Sequence, residues 1–111
     1  MLRYDTAMIF FEDIREKAEK CTQEGFDFLY KKFLEKATEY AQTRTAWAFM
    51  NPNEQMEDDS ARSTKHDAFM KLLTAMCRNL GIENLEEIMP DRKTKGDFAC
   101  YITLFLALEQ R

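Results

Sequence analysis

The sequence predicts an all-α domain, a bundle of four main helices plus one short helix with the last helix central. Three observations predict it. Apolar residues recur at steps of three and four through most of the chain. Glycine and proline are scarce, three and two among 111 residues, where a fold of many tight β-turns needs more of both. The run Phe98 to Leu108, FACYITLFLAL, carries Thr103 as its one clearly polar side chain. A helix apolar all round has to be covered on every side, by its own chain or by a partner.

The first segment alternates steps of three and four through Tyr4, Ala7, Phe11, Ile14, Ala18 and Cys21. These residues share one helical seam, which Met8 and Phe10 widen. Gly25 is the expected stop, because glycine accepts the left-handed conformation that ends many helices.

A second helix is expected from Phe26 to Phe49, with Phe26, Leu29, Phe33, Ala37, Tyr40 and Ala41 on its buried face. Asp27 is a candidate cap at its start. Asn51-Pro52 closes it, since a proline restrains the residue before it. Asn51 to Asp59, NPNEQMEDD, reads as a polar, acidic loop. Ser60, Ser63 or Thr64 then starts the third helix, Thr64 with Asp67 resembling a capping box. That helix buries Ala68, Phe69, Leu72, Leu73, Met76 and Leu80 and ends at Gly81.

A short helix from Leu85 to Met89 follows, with Asn84 and Glu87 as a cap pair and Pro90 as terminator. The last helix starts between Asp91 and Asp97. Tyr101, Ile102, Thr103 and Phe105 also suit a strand. No second strand-like segment exists to pair with one, so helix is expected. Residues 1–111 read as a single helical domain, with no repeat and no linker.

The formal net charge of −4 argues against general affinity for nucleic acid or anionic membrane. The final apolar run is about half of the roughly 20 residues that a spanning helix requires. Asp5, Glu12 and Asp13 interrupt the early apolar stretch, so no secretory leader is expected. Three cysteines, Cys21, Cys77 and Cys100, lie far apart and form no CxxC, which suits a reduced compartment and three small core residues. The cytoplasm is the expected location.

One histidine and three scattered cysteines cannot make a standard zinc site. The acidic loop lacks the glycine and closing glutamate of an EF-hand. No phosphate-binding glycine loop is found. No metal and no cofactor are therefore expected. His66 precedes Asp67, and Ser60 and Ser63 are near in sequence, but no nucleophile elbow is present and Cys77 is about three turns away. No catalytic residue is assigned, and an enzyme is not the expected reading. RNLGIENLEEIMP has a helix-turn-helix cadence. Its would-be recognition helix carries Glu86 and Glu87, which repel phosphates, so nucleic acid is an unfavoured partner.

Asp91 to Asp97 is the most suggestive segment. It places Arg92, Lys93 and Lys95 at the positive end of the last helix, where amides and cations together attract a phosphate or carboxylate. Asp91 or Asp97 capping the helix is the plainer alternative.

The pattern His66-Asp67-x-Phe69, Arg78, Leu80-Gly81, then Asp91-Arg92-Lys93-x-x-Gly96-Asp97-Phe98-Ala99-Cys100-Tyr101 resembles a family of small uncharacterised bacterial all-helical proteins. The resemblance covers about 40% of the chain. It carries no activity with it. It implies that His66 and the Asp91–Asp97 segment belong to one site. The family has Asn where this chain has Asp67.

Three functions are expected from these features. The first is a non-enzymatic interaction or regulatory module, a homodimer or a binder of another protein, with Trp47, Phe49 and Met50 as interface residues. The second is a site for a small anionic ligand built from Arg62, His66, Asp91, Arg92, Lys93 and Asp97. The third is a DNA-binding regulator.

Overall fold

The computed structural model describes residues 1–110. The elements run α1 (Tyr4–Lys20), α2 (Phe26–Ala48), α3 (Pro52–Asn79), α4 (Leu85–Ile88) and α5 (Arg92–Glu109), a helical bundle without strands among these residues.

The heptad seam of α1 is buried in its middle, at Ala7, Phe11 and Ile14, while Tyr4, Ala18 and Cys21 lie nearer its edges. Phe10 is buried as well. The helix ends at Lys20, short of Gly25. Gly25 instead holds a φ of +81° immediately before α2, so its left-handed conformation turns the chain into the next helix. Asp27 does not cap α2; its N-cap is Gly25, with no side-chain bond.

The largest departure from expectation is the segment Asn51 to Asp59. It is not a loop but the first turns of α3, a helix of 28 residues. Asn51 Oδ1 accepts from the Glu54 amide at 3.0 Å, and Glu54 Oε1 accepts from the Asn51 amide at 3.3 Å. Pro52 occupies the first helical position, where its missing N–H costs nothing. The acidic residues that follow sit toward the positive end of the helix dipole. Ser60, Ser63 and Thr64 therefore lie inside a helix rather than at its start, and the Thr64 hydroxyl donates back to the Ser60 carbonyl. At the other end, Gly81 stops α3 as expected. The Ile82 amide reaches the Cys77 carbonyl and the Gly81 amide the Arg78 carbonyl, the paired bonds of a Schellman ending.

Asn84 makes no side-chain cap bond to α4. The last helix begins with Asp91 as its cap; Asp91 Oδ1 accepts from the Thr94 amide at 2.8 Å.

Helices α2 and α3 pack along their length. Phe33 stacks on Phe69 at 5.6 Å, Tyr40 meets His66 at 4.9 Å, and the Arg62 guanidinium lies 4.7 Å from the Trp47 ring. Rising positions in α2 meet falling positions in α3, so the two are antiparallel. Helix α5 packs on α2 and α1 and touches α3. Phe98 meets Phe10 at 5.6 Å and Phe11 at 6.5 Å, and Phe105 meets Phe11 at 5.9 Å. The burial of α5 is concentrated between Thr94 and Ile102. Thr94, Lys95, Gly96, Phe98, Ala99 and Ile102 are buried, whereas Leu104 and Leu108 are 50% and 47% exposed. Toward its end Arg15 pairs with both carboxylate oxygens of Glu109, its guanidinium lying over the edge-packed Phe11 and Phe105 rings. Among the described residues no helix is long and apolar enough to cross a membrane.

Candidate functional site

The chemistry-bearing side chains converge where α2, α3 and the start of α5 meet. A pocket of about 450 Å³ is lined there by Tyr40, Arg44 and Trp47 from α2, by Asp59, Arg62, Ser63 and His66 from α3, and by Arg92 and Lys93 from α5. On α2 and on α3 these residues recur at steps of three and four, so each helix presents one continuous stripe to the pocket.

His66 sets the geometry. It is 4% exposed. Its Nε2 lies 2.8 Å from the main-chain carbonyl of Arg92. A carbonyl only accepts, so Nε2 carries the proton. The Tyr40 ring meets the imidazole edge-on. Burial pushes the His66 pKa below its ordinary value; the bond to the Arg92 carbonyl opposes this and the Arg92 charge reinforces it. The imidazole is thus neutral near pH 7, and Nδ1 is a bare acceptor. That atom is buried and has no hydrogen-bond partner among the described residues. Arg62 Nε is the other buried polar atom in this condition.

Gly96 brings α5 this close. A Cβ there would stand 2.9 Å from Tyr40 Oη and 3.2 Å from His66 Nε2. The absence of a side chain allows the first turns of α5 to meet the imidazole.

Four cations surround the space: Arg44, Arg62, Arg92 and Lys93. Each has a carboxylate partner. Arg44 and Lys93 share Asp97, at 2.8 and 3.2 Å, and the Asp97 side chain is only 12% exposed. Arg62 pairs with Asp59 at 2.6 Å. Arg92 pairs with Asp67, whose pKa falls through that bond, and donates a second bond to Ser63 Oγ at 3.2 Å. Four cations against three carboxylates leave the cluster one positive charge in excess. Planar guanidinium forks of this kind match carboxylates and phosphates.

Of the expected ligand residues, Arg62, His66, Arg92 and Lys93 line the pocket. Asp97 stands behind it, holding Arg44 and Lys93. Asp91 does not line it. Its carboxylate is taken up by the Thr94 amide, which lowers its pKa, so the first-turn amide it caps is not open to an outside anion. Lys95 turns away from the pocket and pairs with Glu86 at 2.9 Å. Of the expected interface residues, Trp47 belongs to the pocket wall, and its Nε1 donates to the Gln55 carbonyl at 3.3 Å. Phe49 is 88% exposed and Met50 half-buried.

Tyr40, Arg44 and Asp59 escaped sequence reasoning. Asp59 was hidden by reading its segment as a loop. Arg44 lies one turn beyond Tyr40 and one before Trp47, a spacing that marks a shared face but not what that face meets.

No nucleophile addresses His66. Ser63 is engaged by Arg92, and the three cysteines are free, with Cys77 buried and its thiol pushed up to about 12. Among the described residues no three metal-binding side chains cluster. The helix-turn-helix cadence becomes a single turn, Leu85–Ile88, with Leu85 and Met89 buried.

Comparison of the chain with protein-family profiles, with curated proteins and with solved structures finds no match.

Proposed function

We propose that this protein binds a small anionic ligand, bearing phosphate or carboxylate, in the pocket between α2, α3 and α5. One observation carries the reading. The pocket is lined by three arginines and a lysine whose three carboxylate partners leave one positive charge in excess. The resemblance that joined His66 to the Asp91–Asp97 segment fits the same site. The role is that of a ligand-responsive, non-enzymatic module, and unpaired cysteines suit a cytoplasmic one.

Trp47 is the only tryptophan of the chain and stands in the pocket wall. A panel of organic phosphates and carboxylates is therefore readable by its fluorescence and by melting temperature. A ligand that binds only the native state raises the midpoint. Arg92→Ala should weaken that effect, and a panel producing no shift in either signal overturns the reading.

A second reading, self-association, is favoured by Leu104 and Leu108 beside a groove of small residues, Ala41, Ala46, Thr103 and Ala107. A strictly monomeric mass by light scattering at high concentration would remove it. The α4 turn is too short to lie in a DNA groove as a recognition helix, so DNA regulation has the least support.

A further inference from the structure

We infer that the pocket takes an anionic group joined closely to an aromatic ring, an aryl phosphate or aryl carboxylate, in preference to a bare oxyanion. The inference rests on the ligand-binding reading and concerns which ligand the site takes. Size, charge and shape all point the same way. An inorganic oxyanion fills only a small part of about 450 Å³. Cavities of roughly 300–1,000 Å³ hold whole organic molecules.

The charge is unevenly placed. Toward α5, Arg44, Arg92 and Lys93 are paired with only two carboxylates, Asp97 and Asp67, so the excess positive charge lies there. At the other end Arg62 pairs one to one with Asp59. That end is balanced and has no charge left to reward a second anionic group. It offers flat surface instead. The Arg62 guanidinium lies 4.7 Å from the centre of the Trp47 ring, and both residues line the pocket. Asp59 holds the guanidinium, and the Gln55 carbonyl accepts from the indole N–H. Two planar groups are thus fixed together, and aromatic rings pack well on either kind. Arg44 and Trp47 are one turn apart on α2, a rise of about 4.5 Å. A ring bonded to the anionic group, directly or through one oxygen, spans that step.

The test uses the full chain and titration calorimetry at pH 7.5, with two matched pairs of probes: phenyl phosphate against methyl phosphate, and benzoate against acetate. The aryl member of at least one pair is expected to bind about tenfold more tightly or better. Equal binding within both pairs overturns the preference while leaving the pocket as an anion site. No binding by any of the four overturns both. The saturated counterpart of the preferred probe, cyclohexyl phosphate or cyclohexanecarboxylate, has the bulk without the planar ring. It should bind several-fold more weakly than the aryl probe, and equal affinity overturns the requirement for an aromatic ring.

Trp47→Leu, checked for its helical circular dichroism, should bring the members of the preferred pair to within about twofold. A preference that survives in the folded variant overturns the role of Trp47. Should the variant not fold, the indole C–H resonances of the unaltered protein decide, and they are unambiguous because Trp47 is the only tryptophan. The ring current of the aryl probe should shift them on saturation, and the smaller probe should leave them in place. Resonances unmoved by either probe, or moved equally by both, sink the proposal.

Discussion

The imidazole of His66 donates through Nε2 to the main-chain carbonyl of Arg92 at 2.8 Å, joining positions 26 apart in sequence. This bond locks the ring's tautomer and brings the start of α5 against the middle of α3. It also leaves Nδ1 without a partner.

That arrangement makes stability depend on pH in a window set by one residue. Burial holds the folded pKa of His66 below the ordinary 6.5. In the window below 6.5 the unfolded chain binds the proton and the folded chain does not. Stability is therefore present in full above the unfolded value and declines as pH falls toward the folded one. His66 is the only histidine. Urea unfolding between pH 7.5 and 5.5 should show this decline, and His66→Phe should flatten it. An equal slope in both proteins would refute the assignment.

Gly96→Ala should destabilise the protein even though alanine favours helix by about 1 kcal/mol over glycine. The added methyl group meets Tyr40 Oη at 2.9 Å, and Tyr40 is itself only 3% exposed and cannot easily retreat. Overpacking of this kind costs about 1–3 kcal/mol, so the clash outweighs the propensity. Chemical denaturation gives the sign. The tautomer-fixing bond of His66 should loosen with it, seen as a shift of its ring protons.

The cap of α3 is tested by Asn51→Ala. Losing the side-chain acceptor should cost about 1 kcal/mol. Hydrogen exchange should then quicken across the first turns of α3 and leave its Phe69–Cys77 half protected. Unchanged exchange there would mean that the segment is held by something other than its cap.

Lys95 and Glu86 form an unequal pair: the lysine side chain is 8% exposed and the glutamate 68%. Removing the exposed partner leaves a buried ammonium with less to hold it. Replacing the lysine by an apolar residue of similar length removes the buried charge altogether. Glu86→Ala should therefore cost more than Lys95→Met, on the order of 1 kcal/mol more after allowing for solvent at the glutamate. Thermal denaturation of the two variants ranks them, and the reverse order would contradict the argument.

Much of the fold was readable because its signals are local. The seam of α1, the break around Gly25, the Schellman stop at Gly81 and the start of α5 after Pro90 all depend on residues within a turn or two. The segment from Asn51 to Asp59 shows where that reading failed and why. Its half of α3 is solvated, so it has no apolar periodicity to find. Asn51, Pro52 and Glu54 nevertheless spell the cap, a signal that is local but independent of hydropathy. The extent of cover over FACYITLFLAL was not local at all. An apolar stretch states that burial is favourable, not that neighbours reach far enough to provide it, and Leu104 and Leu108 are half exposed.

The site divides in the same way. The sequence alone determined which helices form and that Arg62, His66, Arg92, Lys93 and Asp97 carry usable chemistry, because helix periodicity and capping act between near neighbours. Only the tertiary structure decided that Tyr40, Arg44 and Trp47 face those residues across one space, that Asp91 caps the helix rather than lining the site, and that Nδ1 of His66 is left unpaired. The shared space is a matter of distances between residues remote in sequence, set by how antiparallel α2 and α3 receive the first turns of α5 at Gly96.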